Sequence, residues 1–272
     1  MDISVVLTTY NWPGALELVI NSLLSQQTQA SFELVIADDG STFETTQLID
    51  KIKTTCSRSI PIQQVWQEDQ GFRAAACRNK AVAQAKGAYI VFIDGDCIVP
   101  NYFIQRHYEL AKTGCFVGGN RILLSRHFTH DVLAHKINLA DKSLCYWMAR
   151  RALGQCNRVL PLLKRSLGAW RERKQVWQGI KTCNMGVWRA DVYAVNGFDE
   201  SFTGWGYEDS DFVIRLLRAG IKRLDGRYYA PLFHLWHSEN SRGQEQENLM
   251  RLQQVIDGIH SQAHVGISQY LN

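Results

Sequence analysis

Asp94-Gly95-Asp96 follows the apolar run Ala88-Tyr-Ile-Val-Phe-Ile93, so two carboxylates stand where a buried strand breaks into a loop. With glycine between them the backbone turns sharply, and both oxygen sets can face one hard divalent cation, Mn2+ or Mg2+. The cation's remaining positions can take water and diphosphate oxygens. A metal-bound diphosphate points to a nucleotide-activated donor. Asp-Gly is also a common turn pair, so the tripeptide gains meaning only from the elements around it.

Those elements alternate. Residues 3–8, 32–37, 62–66 and 88–93 read as short strands rich in Val, Ile, Leu and Phe, each followed by a polar loop. Between the first two, Tyr10-Asn-Trp-Pro-Gly14 turns into a helix with Leu16, Val19, Ile20, Leu23 and Leu24 at helical spacing. A second helix follows Asp38-Asp-Gly-Ser41 and runs through about Lys53. A third opens after Gly71, carries Ala74, Ala75, Ala76, Ala81, Val82 and Ala85, and closes near Gly87. Strand-helix alternation of this kind predicts an α/β fold with a parallel sheet. In such sheets ligands gather beyond the carboxyl ends of the strands, so the loops at 8–11, 38–41, 71–79 and 94–96 are expected on one edge. There Asp39 can accept the N3 hydrogen of a uracil, and the forked guanidinium of Arg78 can pair with diphosphate oxygens. Taken singly, Asp38, Gly40 and Ser41 could equally cap a helix.

The chain has 272 residues, 46% hydrophobic and 21% charged, enough to bury a large core as one globular domain. No run of about 18 apolar residues occurs, and Met1-Asp-Ile-Ser-Val-Val-Leu lacks the basic flank of a signal peptide. Seven cysteines, with no Cys-x-x-Cys, fit reduced thiols and no assigned disulfide. The expectation is a cytoplasmic protein, free or peripheral on the inner face of the cytoplasmic membrane. Charge is uneven: residues 150–181 hold nine Lys or Arg against the single acid Glu172, interleaved with Leu and Trp. A segment like this can lie on an anionic bilayer surface, or form the solvated face of a helix pair or a flexible insertion. Nucleic acid is not expected as a partner, because no zinc-finger or RNA-recognition signature is present.

Thr8-Thr-Tyr-Asn11, Asp38-Asp-Gly-Ser41, Ala76-Cys-Arg-Asn79 and Tyr89-Ile-Val-Phe-Ile-Asp-Gly-Asp96 together resemble the nucleotide-sugar-binding half of the family 2 glycosyltransferases. Asn196-Gly-Phe-Asp-Glu200 followed by Gly204-Trp-Gly-Tyr-Glu-Asp209 resembles the acceptor-side motif shared with β-1,4-galactosyltransferases and chondroitin-type polymerases. The resemblance covers about residues 3–240. It implies a GT-A fold, a Rossmann-like, mostly parallel sheet flanked by helices with a helical acceptor-side elaboration. It also implies an inverting mechanism, a UDP-sugar donor and a glycan or lipid-linked glycan acceptor. Residues 1–118 would form the donor half, 119–182 a variable basic helical segment, and 183–272 the acceptor half, all within one continuous domain.

By the same resemblance, Thr8 and Tyr10 border the base, Asp39 holds the uracil, Arg78 lies near the diphosphate, and Asp94 and Asp96 serve the metal. Asp209 is the general base, Glu208 holds sugar hydroxyls, and Trp205 walls the acceptor sugar. The chemistry asks for these types in its own right. Inverting transfer needs one base to take the proton of the attacking hydroxyl, and a Lewis acid for the charge gathering on the departing diphosphate. Related enzymes add a metal-binding His after the Glu-Asp helix, within Phe233-His-Leu-Trp-His237. Strand alternation puts His234 and His237 on opposite faces, so only one is expected in the site; His237 is preferred and His234 is the alternative.

Two departures stand out. Gly95 replaces the Ala or Cys of many relatives, and Tyr207 replaces a Gly often found before Glu-Asp, which narrows the acceptor pocket. Competing readings are a non-catalytic sugar- or membrane-binding protein on the same scaffold and, less favoured, a nucleotidyltransferase. The latter usually needs a basic phosphate loop after the first strand, and residues 9–14 carry no Lys or Arg.

Overall fold

The computed structural model describes residues 1–56, 59–163, 175–238 and 242–271. Its centre is a seven-stranded sheet in the order β3-β2-β1-β4-β8-β6-β9. The strands are β1 (Ile3–Thr9), β2 (Phe32–Asp38), β3 (Ile62–Trp66), β4 (Tyr89–Asp94), β6 (Cys115–Gly118), β8 (Asn184–Trp188) and β9 (Lys222–Asp225). β1 to β4 pair in parallel, whereas β8 runs antiparallel to both β4 and β6. The parallel strands are buried on both faces, and their side chains divide strictly by parity. Val5, Leu7, Leu34, Ile36, Val91 and Ile93 enter one core, while Val6, Val35, Ala37, Ile90 and Phe92 enter the other.

Helices cover both faces. α1 (Pro13–Leu24), α2 (Phe43–Thr55), α4 (Phe103–Leu110), α5 (Arg126–Ala134) and α6 (Leu144–Ala152) contribute to the first core. The second is closed by α3 (Ala74–Gln84), α7 (Arg189–Ala194) and α8 (Glu208–Arg218), with α9 (Glu245–Asp257) packed on α8. Register aligns the strand ends that matter: Thr8 pairs with Asp94, Thr9 with Asp38, and Asp38 with Trp66. The polar loops after β1, β2 and β4 therefore leave one edge of the sheet.

A second sheet sits in the first core. β10 (Pro231–His234) lies between β5 (Cys97–Ile98), antiparallel to it, and β7 (Asn120–Leu123), parallel to it. Asn184 ties it to the central sheet. Its amide donates to the backbone oxygens of Asn120 (2.9 Å) and Ala230 (2.7 Å), and its oxygen meets Nε2 of the fully buried His107 at 3.1 Å. Burial lowers His107 to a pKa of about 4, so the neutral ring donates Nε2–H and the amide is satisfied on both sides. Residues 119–182 are thus not wholly helical, because they supply a strand to this sheet as well as α5 and α6. Much of the basic stretch, including Lys164, Arg165, Trp170, Arg171, Arg173 and Lys174, lies outside the described residues.

Asn184→Ala strips partners from two backbone carbonyls and a buried imidazole. Three lost hydrogen bonds at roughly 1 kcal/mol each predict a loss of about 3 kcal/mol, read as a lowered urea midpoint at unchanged slope.

Candidate active site

Beyond the carboxyl ends of β1, β2 and β4, Arg78 is the hub. It projects from α3 with 4% exposure, too buried for an unpaired charge, and two carboxylates answer it. Nη1 lies 3.2 Å from Glu208 Oε1 and Nη2 lies 3.4 Å from Asp94 Oδ1. One guanidinium therefore joins the end of β4 to the start of α8. Burial raises the pKa of Glu208, with the Asp209 charge adding to it and Arg78 opposing. Asp94 is raised by burial in the same way, against the pull of Arg78.

Glu208 and Asp209 occupy the first turn of α8, where the helix N-terminus favours negative charge. The helix starts at Glu208, so both acids have fixed helical backbone. Lys181 Nζ lies 3.4 Å from Asp209 Oδ2, and the Ser210 hydroxyl is 3.4 Å from Oδ1. Lys181 had been legible only as one more cation in a basic run; nothing in its neighbours signalled that it faces Asp209.

Asp96 belongs to a different group. His237 Nε2 stands 3.2 Å from Asp96 Oδ2 and His234 Nε2 stands 3.6 Å from it, and one donor atom from each of the three residues falls within 4.8 Å of the others. This corrects the expectation that only one histidine enters the site. β10 ends at His234, so strand alternation does not extend to 237, and the chain turns the second ring back beside the first, 5.3 Å between centroids. Trp12 contacts His237 edge-on at 6.1 Å. Burial disfavours the Asp96 carboxylate, but the His237 hydrogen bond and both imidazoles outweigh it and lower its pKa. Asp94 stands at the side of this trio, facing Arg78.

The donor set of two imidazoles and a carboxylate fits a divalent cation. Its nitrogen content suits Mn2+ better than Mg2+, which prefers an all-oxygen shell. The Asp96–His237 ion pair presents the same charge pattern with a proton in the cation's place.

On the donor side, Asp39 is buried and held. Its Oδ2 accepts from the Arg73 backbone N–H at 2.8 Å, its Oδ1 accepts from the Gln67 amide, and burial raises its pKa. Gly40, at φ +94°, is where a Cβ would lie 2.5 Å from the Asp69 Cα, so glycine lets these two loops touch. Exposed Tyr10 donates from its hydroxyl to Asp69 Oδ2 at 2.9 Å. Thr8, beside Asp94 in register, has a buried hydroxyl without a protein partner. On the acceptor side, Trp205 is half-buried between Gly204 and Gly206, with the Arg242 guanidinium carbon 4.9 Å from the centre of its ring. The structure brings Arg78, Asp94, Glu208 and Asp209 into one connected charge cluster, and Asp39, in the loop after β2, also feels the Arg78 charge; Trp205 lies three residues before Glu208 in the turn that leads into α8. Gln67, Arg73 and Asp69, which orient the donor loops, were not singled out in the sequence.

A strand order of this kind, with its acidic edge, is the GT-A class. A model described as glycosyl transferase family 2 matches residues 4–186, and one described as the N-terminal domain of galactosyltransferase matches residues 164–237. The chain belongs to glycosyl transferase family 2. It is 30% identical over 235 residues to validoxylamine A glucosyltransferase of Streptomyces hygroscopicus subsp. jinggangensis, covering 80% of this chain and 52% of that protein. It thus spans about half the length of the curated relatives it first matches. Crystalline S. aureus TarS (residues 1–349) with UDP superposes at a TM-score of 0.62 and 16% identity, over 99% of this chain and 68% of that one. The mannosyltransferase PcManGT of Pyrobaculum calidifontis, in complex with GDP-Man and Mn2+, superposes at 0.57 and 17% identity, over 93% and 61%. At these identities the likeness is one of fold.

Arg78→Ala leaves Glu208 and Asp94 facing each other without a counter-charge. Breaking a buried pair from one side costs about 3–5 kcal/mol, and the partial exposure of Asp94 places this one near the lower end; chemical denaturation measures it. His237 is raised from 6.5 to about 9, chiefly by its bond to Asp96. A raised pKa means the pair's contribution to stability is complete below pH 6.5 and is lost as pH rises through about 9. A Mn2+ ion held by this trio would have to displace that proton, so its affinity is expected to rise about tenfold per pH unit between pH 7 and 8. Calorimetric titration at both values should give that slope in the parent protein and a flatter one in His237→Ala.

Proposed function

We propose that the protein is an inverting, metal-dependent glycosyltransferase that moves a hexose or N-acetylhexosamine from a UDP-sugar to a glycan or lipid-linked glycan acceptor. The products we assign are bacterial surface polysaccharide or lipopolysaccharide. The observation that carries this reading is the Arg78 bridge. It holds Asp94, at the donor edge, and Glu208, next to Asp209, on the same guanidinium. A base on the acceptor side and a carboxylate on the diphosphate side must share a cleft for a single in-line displacement, and this link supports that arrangement.

In the proposed reaction Asp209 accepts the proton of the acceptor hydroxyl as its oxygen forms a bond to the anomeric carbon. The bond from that carbon to the diphosphate oxygen breaks from the opposite face, and UDP leaves with the electron pair. No covalent sugar-enzyme species is needed. Asp39 would accept the uracil N3–H, with Gln67 and the Arg73 N–H fixing its orientation. Thr8 and Tyr10 would border the base, Trp205 would offer its face to the C–H side of the acceptor ring, and Glu208 would hold hydroxyls. Asp96, His234 and His237, with Asp94 beside them, would hold Mn2+ or Mg2+, which when bound supplies Lewis-acid neutralisation of the leaving diphosphate. Arg78 spends Nη1 on Glu208 and Nη2 on Asp94, so in this reading it orients the two carboxylates.

The relatives support the class: a glucosyltransferase in sequence, and UDP- and Mn2+-bound proteins in fold. No helix among the described residues is long and apolar enough to cross a membrane. We place the enzyme in the cytoplasm, peripheral on the inner face of the membrane where lipid-linked acceptors are presented.

The test is UDP release from a panel of UDP-sugars with Mn2+ and a lipid-linked acceptor extract. Turnover is expected with one donor, and Asp209→Asn should lower it by about 10²–10⁴-fold, the usual weight of a general base, while UDP affinity changes little. No turnover of any nucleotide sugar would favour the non-catalytic binding reading; a fully active Asp209→Asn would remove Asp209 as base.

A further inference from the structure

The small sheet that carries His234 has an unusual outer cover. α6 lies against it through Trp147, whose buried ring stacks on Phe233 of β10 at 4.0 Å and 12° and meets Phe128 of α5 edge-on at 6.4 Å. Phe233 immediately precedes His234, so the inner face of α6 is one side chain removed from the metal-ligand trio. Its outer face is another matter. Leu144, Met148 and Arg151 recur at i, i+4 and i+7 and share one stripe, and all three are exposed, Met148 by 56%. The chain that follows keeps the same character, with Leu153 65% and Leu160 60% exposed, and Leu163 and Arg158 also open to solvent. From Lys142 to Leu163 the sequence holds four Lys or Arg and no acid. Two of the four point elsewhere than outward: Arg150 lies against the Phe128 and Tyr146 rings at 5.7 and 4.8 Å, and Lys142 lies over Tyr146 at 5.4 Å. Arg151 and Arg158 are left among the exposed leucines.

Large aliphatic side chains in water with cations between them, and no acid among them, match the headgroup boundary of an anionic bilayer. There leucine and methionine enter the acyl region while guanidinium groups meet phosphate. A protein partner of this face would need an acidic, apolar groove of its own; a bilayer supplies both properties at once. We propose that the outer face of α6, with residues 153–163, is the surface by which the protein docks on an anionic membrane. The stack of Trp147 on Phe233 sets the distance between that membrane and the catalytic edge. The proposal rests on the glycosyltransferase reading for its purpose, since a lipid-linked acceptor would then meet the site from the side on which its lipid is anchored. It differs from docking through residues 164–174, because every side chain it uses belongs to α6 or to the segment just after it.

Flotation with vesicles of phosphatidylcholine alone and of phosphatidylcholine with phosphatidylglycerol tests it on the full chain. The parent protein should float with the anionic vesicles and not with the neutral ones. Leu144→Ser/Met148→Ser/Arg151→Glu, all at exposed positions, should lower the bound fraction about tenfold or more at an unchanged melting temperature. Donor hydrolysis, read as UDP released with water as acceptor, should be the same in parent and variant. Equal flotation of the two proteins, or a parent that binds neither vesicle, overturns the proposal. So does a parent that self-associates without lipid through contacts the triple variant loses, since the face would then serve a second copy. Hydrolysis is scored without vesicles, so failure of the catalytic reading and failure of the docking surface register separately.

Discussion

A guanidinium with 4% exposure imposes a constraint on everything near it, because a buried cation has to be met by anions held in place. Arg78 is met twice, by Asp94 from the end of β4 and by Glu208 from the start of α8. Neither contact is short, and an apolar trio of the same volume could be as stable or more so. What the charged arrangement provides is position. α3 and β4 belong to the donor-side motif and α8 to the acceptor-side motif, some 130 residues away, and the shared charge sets the distance between them. The same logic extends outward: Lys181 meets Asp209, and the two histidines meet Asp96. Four acids, Asp94, Glu208, Asp209 and Asp96, are thus met by four basic side chains, Arg78, Lys181, His234 and His237.

The antiparallel strand β8 makes this possible. Inserted beside β4, it carries the chain back across the sheet and leads into α7, the following turn and α8, which closes the second core over Phe92. Phe198 and Phe212 stack at 4.2 Å there, and both meet Phe92 edge-on, so α8 is fixed against β4 by aromatic packing before any charge is counted. Asn184, at the first position of β8, anchors the small sheet on the opposite face. One strand thus sets the acidic helix on one side and the strand with the histidines on the other.

How much of this could be read in advance follows from what each feature depends on. The first four strands were legible to within a residue or two, because two-sided burial leaves continuous apolar runs whose ends are marked by Asp-Asp-Gly and Asp-Gly-Asp. The acids at 94, 96, 208 and 209 were legible as residue types at motif spacing. The small sheet was not: β5 is two residues long and β7 four, and their partner β10 lies more than a hundred residues downstream, so no local pattern marks them. The histidine pair was misread because the alternation rule was carried past the last strand residue. Lys181 was hidden by its company, since a cation within a basic run gives no sign of which carboxylate it will face.

The acceptor loop shows where the chain tolerates strain. Gly204, Gly206 and Tyr207 all have positive φ, at 72°, 111° and 72°, and Tyr207 alone of the three bears a side chain that pays for that geometry. A left-handed tyrosine costs about 1 kcal/mol relative to glycine, and packing offsets it: the ring lies against Phe202, Ile214 and Leu252. The loop is also tied at its start, by the Gly204 N–H donating to the Phe72 oxygen at 2.9 Å and by the Asn248 amide donating to the Thr203 oxygen at 2.9 Å. Phe72 precedes α3, the helix of Arg78. The backbone around Trp205 is therefore joined to the donor side by a hydrogen bond as well as by the charge of Arg78. A displacement of either loop would be transmitted to the other through two independent contacts, a coupling that the proposed transfer from donor to acceptor would use.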